Sequence, residues 1–155
     1  MGKAFLYIVA AGAVLGLIPA HRHAAPPISQ TAAGPVLETV LERHSNGHFF
    51  VDATVNGQLV HFLVDTGATD VALTAEDAER VGIGFSSDEF VEVGQGAAGP
   101  VRGKRVNVAS ISIEGKEARN LPGVVIEGGD MSLLGQAYLS RLNSVTMAGE
   151  YMTLR

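Results

Sequence analysis

From residue 36 onward the chain alternates more than it cycles. Residues 48–55 (HFFVDATV) place apolar and polar side chains on opposite faces with a period of two, the mark of a half-buried strand. Asn56-Gly57 follows and a second apolar run, residues 58–64, returns. Two turn residues that accept positive φ between two such runs predict a tight hairpin. Residues 90–93 and 101–108 read as strands flanking a glycine-rich tip, residues 111–117 as a hairpin turning at Glu114-Gly115, and 124–126 and 132–134 as short buried strands. Residues 144–154 read as a last hairpin. Helical character is confined to residues 74–81 and 135–142. In the first, Thr74 can cap, Glu76 and Asp77 fill the opening turn, and Gly82 can end it. The acidic trio Glu76, Asp77 and Glu79 reads as a solvated helix face. No internal repeat points to a solenoid or a duplicated lobe.

The segment before residue 36 has a different character. Lys3 precedes an uncharged run over residues 4–20, followed by His21-Arg22-His23 and a proline-rich stretch. This is an export signal, either cleaved after Ile18-Pro19-Ala20 or retained as an anchor at the short limit of a membrane span. Residues 1–25 are therefore expected to be a signal peptide or N-terminal membrane anchor, and 26–35 (PPISQTAAGP) a linker. Residues 36–155 form one domain, expected to work outside the cytoplasm, in the periplasm at the inner membrane.

Composition narrows the chemistry. Of 155 residues, 46% are hydrophobic and 17% charged, enough for a packed core and too apolar for a disordered chain. A net charge of −5 with scattered basic residues argues against nucleic-acid binding. The absence of cysteine excludes disulfides, thiolate nucleophiles and zinc knuckles. His44 and His48 are separated by Asn46-Gly47, which breaks any shared helical face, so no metal site is expected. His61 reads as a sheet-surface residue, and Ser132 and Ser140 lack a His and Asp in triad order. Gly94-x-Gly96-x-x-Gly99 matches a dinucleotide fingerprint in letters only, because Pro100 and an alternating strand follow where a helix N-terminus is needed. No cofactor is expected.

The most informative segment is FLVDTGATDVALT, in which Asp65-Thr66-Gly67 follows directly on a hydrophobic strand. That order puts a carboxylate at the end of a buried element, beside a hydroxyl and an unobstructed backbone N–H. The three residues alone are equally compatible with a structural Asx-turn. About 65 residues later comes SLLGQAYLSRL, two bulky apolar residues and a glycine running into a helix.

The two blocks at this spacing resemble the retropepsin-like (retroviral-type) aspartic proteases, and within them a bacterial branch with an N-terminal membrane segment before one exported domain. The resemblance covers residues 47–155. It implies an all-β fold, a closed β-barrel or sandwich of hairpins with one or two short helices, acting as a homodimer. It implies an aspartic endopeptidase of protein or peptide substrates, in which water is activated by a dyad of Asp65 from two subunits. By the same resemblance Thr66 bridges the two active loops, Gly67 binds substrate backbone, and Leu133, Leu134 and Gly135 back the catalytic loop. Residues 93–100 are the expected flap. Ala68, Asp70, Gly94, Gln95, Gly96 and Leu134 are the expected substrate contacts. The chain departs from the retroviral pattern at Gln136, where an Arg is usual, and at Thr69, where an acid is usual. The alternative from another class is a catalytically silent module of the same fold that dimerises or binds peptides.

Overall fold

The computed structural model describes residues 37–96 and 99–155. The expected signal or anchor (1–25) and linker (26–35), as well as Ala97 and Ala98 at the flap tip, lie outside the described residues. The elements in chain order are β1 (Thr39–Glu42), β2 (Phe50–Val55), β3 (Gln58–Val64), β4 (Val71–Leu73), α1 (Ala75–Arg80), a 3-10 turn (Ser87–Glu89), β5 (Val91–Gly96), β6 (Gly99–Ile113), β7 (Lys116–Ile126), β8 (Ser132–Leu134), α2 (Gln136–Leu139), β9 (Val145–Ala148) and β10 (Tyr151–Leu154).

The expected hairpins form for the expected reasons. Asn56 (φ 48°) and Gly57 (φ 87°) join β2 to β3, and Glu114 (φ 47°) and Gly115 (φ 83°) join β6 to β7. Both pairs adopt the left-handed backbone that matches the twist of the strands they connect. The Asn56 side chain adds two long-range ties, accepting from the Ser110 N–H (3.1 Å) and donating to the Val81 carbonyl (3.2 Å).

Six strands close on themselves in the order β2-β3-β8-β4-β7-β6, and β6 returns to β2 through Thr54 opposite Ser112 and Val55 opposite Ile111. Closure removes open edges from this layer. β5 lies outside the closed ring, paired only with β6. A separate three-stranded sheet, β1-β10-β9, is formed from the two ends of the domain. The core holds Phe62, Leu73, Ile111, Leu121 and Leu134 from the ring strands and Tyr138 from α2, all fully buried.

The structure differs from the sequence expectation in four places. β1 and β4 are additional strands: β1 is only four residues long, and β4 (Val-Ala-Leu) is buried on both faces and so shows no alternation. β6 and β7 are single long strands where shorter pieces were expected. α2 is one turn, ending at Leu139 rather than 142. α1 matches, and its Thr74 side chain accepts from the Asp77 N–H as a cap should. Its acidic face, however, is not all solvated. Asp77 is buried, accepts from Ser132 Oγ and pairs with Arg80, while Ser132 Oγ also accepts from the Thr74 N–H (3.1 Å). A buried carboxylate persists only with such partners, which here pin α1 to β8.

Candidate active site

β3 delivers Asp65 to the rim of the barrel. Phe62 and Val64 point into the core, so the chain leaves the strand at Asp65 with its backbone N–H bonded to the Leu134 carbonyl of β8 (3.1 Å). The turn then folds on itself. The Ala68 N–H donates to the Asp65 carbonyl (3.2 Å), and the Gly67 N–H donates to Asp65 Oδ1 (2.9 Å), which fixes the carboxylate's rotation. Asp65 is part-exposed and Thr66 and Gly67 are exposed, so the turn presents an accessible carboxylate.

The second block holds this turn from behind. The backbone N–H groups of Gln136 and Ala137, at the start of α2, donate to the carbonyls of Ala68 and Thr69 (both 2.8 Å). Gln136 Nε2 donates to the Thr66 carbonyl (2.9 Å). Support that an Arg and an acid supply in the retroviral pattern is thus supplied here by an amide side chain and by main chain. Gly135 is dictated by packing: a Cβ there would sit 2.2 Å from the Asp70 carbonyl oxygen and 2.7 Å from that of Ala68. Any larger residue would push the Asp65 loop away.

A cleft of about 500 Å³ opens in front of the turn. Asp65, Gly67, Ala68 and Asp70 line it on one side and Gly94, Gln95 and Gly96 on the other, so the structure gathers these sequence-expected residues around one space. Its floor is small and apolar, built from Ala72, Val101, Val124, Ile126 and Leu133. The flap is a hairpin almost to its tip, with Gly94 opposite Val101 and Gly96 opposite Gly99. The fingerprint-like glycines therefore lie in strand, with no helix after them.

Leu134, expected at the cleft, lies elsewhere. It is fully buried in the core and does not reach the cleft; its neighbour Leu133 lines it instead. Alternation decides which is which, because in β8 Ser132 and Leu134 face inward opposite Phe62 and Val64 while Leu133 faces out. Arg105 on β6 was also not anticipated. Its Nη1 donates to Asp70 Oδ2 (3.0 Å) and its Nη2 to the Val93 carbonyl (2.7 Å). Its signal in the sequence is no more than a basic residue in an alternating strand. His44, His48 and His61 lie at the surface, with His61 beside Asp52 (2.6 Å) and stacked on Phe50 (5.5 Å between ring centroids).

A six-stranded closed barrel, an Asp-Thr-Gly turn at the end of an inner strand and a glycine-rich hairpin across a cleft from it define a retropepsin-like aspartic protease domain. The chain belongs to the family described as gag-polyprotein putative aspartyl protease, which matches residues 51–141. The crystal structure of a retropepsin-like aspartic protease from Rickettsia conorii is similar at 34% identity and a TM-score of 0.66, over 76% of this chain and 90% of that one. Among curated proteins, an uncharacterized protein in the cobV 5' region of Sinorhizobium sp. is 39% identical over 120 residues (76% of this chain, 52% of that one). An uncharacterized protein of Rickettsia prowazekii is 34% identical over 118 residues (76% and 51%). The chain spans about half the length of these curated relatives.

Proposed function

We propose that this protein is an aspartic endopeptidase that works as a homodimer, with one Asp65 from each subunit forming the catalytic dyad. The observation that carries the reading is a single Asp-Thr-Gly turn, its carboxylate oriented by the Gly67 N–H, at the rim of a cleft bordered by a flap. Aspartic proteolysis needs two carboxylates ~3 Å apart that share one proton, since like charges that close cannot both ionise. One Asp65 then acts as base toward the attacking water and the other as acid toward the peptide carbonyl. Thr66, exposed at the turn, faces the partner loop. Gly67 and Ala68, with Gly94, Gln95 and Gly96 above, hold the extended substrate backbone, while the apolar floor receives its side chains.

The same reading places the domain outside the cytoplasm, in the periplasm, and associates it with the inner membrane through residues 4–20. The uncharged run between Lys3 and Arg22 supports this. Among the described residues no helix is long and apolar enough to cross a membrane.

The test is cleavage of an unfolded protein substrate from pH 4 to 7, at several enzyme concentrations, beside Asp65→Asn. Expected is turnover that drops by roughly 10²–10⁴-fold or more in the variant and that rises faster than linearly with wild-type concentration. A folded, dimeric wild type that binds peptide but cleaves at no pH would replace this proposal with the silent-module reading.

A further inference from the structure

The bulge in the flap stem and the charged flank of the cleft meet at one side chain. Pairing between β5 and β6 slips between Glu92 and Gly94, leaving Val93 as the extra residue of a β-bulge. A bulged residue loses its ladder partner, and its carbonyl must find a donor elsewhere. Here the donor is Arg105 Nη2, at 2.7 Å. The other arm of the same guanidinium holds Asp70 Oδ2 at 3.0 Å. Asp70 sits five residues after Asp65, on the loop that α2 fixes from behind, and both Asp70 and Val93 line the cleft.

From this we infer that Arg105 is a positioning residue: it ties the flap stem to the catalytic loop and so sets where the flap rests over a bound peptide. The inference rests on the reading of the cleft as a peptide-binding site. A planar fork serves both acceptors at once from two separate nitrogens, Nη1 and Nη2. The guanidinium offers parallel donors in fixed geometry, whereas an ammonium is a single point on a flexible stem. As an exposed ion pair the Arg105–Asp70 contact adds little to global stability, since half of Arg105 and more is in solvent (64% of its side chain). What the tie restrains is the local freedom of an arm that is otherwise paired on one side only. The bulge then has a purpose: it turns a carbonyl out of the ladder to where Arg105 can take it.

Arg105→Lys keeps the charge and breaks the fork, and it is compared in the full chain with wild type, Asp70→Asn and the double variant. Amide hydrogen exchange is followed across residues 91–96, with residues 58–64 as the internal reference. Expected is exchange faster by about five- to tenfold at 91–96 in Arg105→Lys and no change at 58–64, the scale of losing one solvent-exposed intramolecular hydrogen bond. With a peptide substrate, KM rises by a similar factor while kcat stays within about twofold, and the double variant is no worse than either single one. A merely structural role would lower the melting temperature and active fraction with KM unchanged. Unchanged exchange at 91–96 overturns the inference even if the enzyme turns over normally. If wild type cleaves no peptide, the protease reading fails while the exchange result still decides the tie.

Discussion

At the scale of single residues, adjacent positions in the second sequence block do opposite jobs. Leu134 is fully enclosed beside Phe62 and Tyr138, whereas Leu133 forms part of the cleft floor. Leu134→Ala should therefore cost about 2–5 kcal/mol of stability, read as a drop in the urea midpoint. Leu133→Ala should change stability by no more than about 1 kcal/mol and instead raise KM for substrates with bulky apolar side chains. If the two effects were exchanged, the assignment of inner and outer faces in β8 would be wrong. Gly135→Ala is the harsher change, because a Cβ 2.2 Å from the Asp70 carbonyl can be relieved only by displacing the loop that carries Asp65. Activity should fall more than tenfold even where circular dichroism shows the fold retained, roughly the effect of a 1 Å misplacement. Asp65, Thr66 and Gly67 stood out in the sequence only together with the second block about 65 residues later, since the three residues alone are equally compatible with a structural Asx-turn. The roles of Leu133 and Arg105 were not legible. The first depends on strand parity in a three-residue element, and the second on a bulge that no local pattern announces.

Among elements, legibility followed the strength of the local signal. Hairpins marked by Asn56-Gly57 and Glu114-Gly115 and the helix capped by Thr74 each carry backbone preferences that hold without tertiary help. β1, β4 and the full length of β6 and β7 exist because of their neighbours. β4, for example, is clamped between β7, with Val71 opposite Gly123, and β8, with Ala72 opposite Leu133. α2 is a single turn, too short to be stable alone, and is held by what it touches. Tyr138, buried on this turn, donates its hydroxyl to the Lys116 carbonyl at the start of β7 (2.6 Å). Burial pushes the Tyr138 phenol up from 10.0 to about 12. A folded-state value above the unfolded one means the folded chain holds the proton more tightly. The resulting stability is complete below pH 10 and is lost as pH rises toward 12. Thermal melts from pH 9 to 12 should show a loss in wild type that Tyr138→Phe, which has no proton to lose, shows to a smaller extent. Equal alkaline losses in both proteins would remove Tyr138 as the cause.

For the whole molecule, the barrel is closed but the proposed chemistry is not, and this asymmetry makes the dimer testable without a structure of it. Each subunit brings a complete core, one carboxylate and one flap, so folding and catalysis should depend on concentration differently. A constant melting temperature over a dilution series in which specific activity falls would separate the two. Mixing is more decisive. Equal amounts of wild type and Asp65→Asn that exchange subunits freely form about one quarter wild-type dimers, one half mixed and one quarter variant, as for any closed two-fold pair. If both carboxylates of the dyad are needed, only the first quarter works, and the activity per wild-type chain falls to about half at concentrations where dimers dominate. A larger excess of the variant should silence the wild type almost completely. If each chain carried a self-sufficient site, added Asp65→Asn would leave the wild-type rate unchanged, and the second carboxylate would have to be sought within one subunit. Asp70 would then be the first to replace by Asn, because it lines the same cleft. Its carboxylate is already engaged by Arg105 Nη1 at 3.0 Å, and that contact argues against the role.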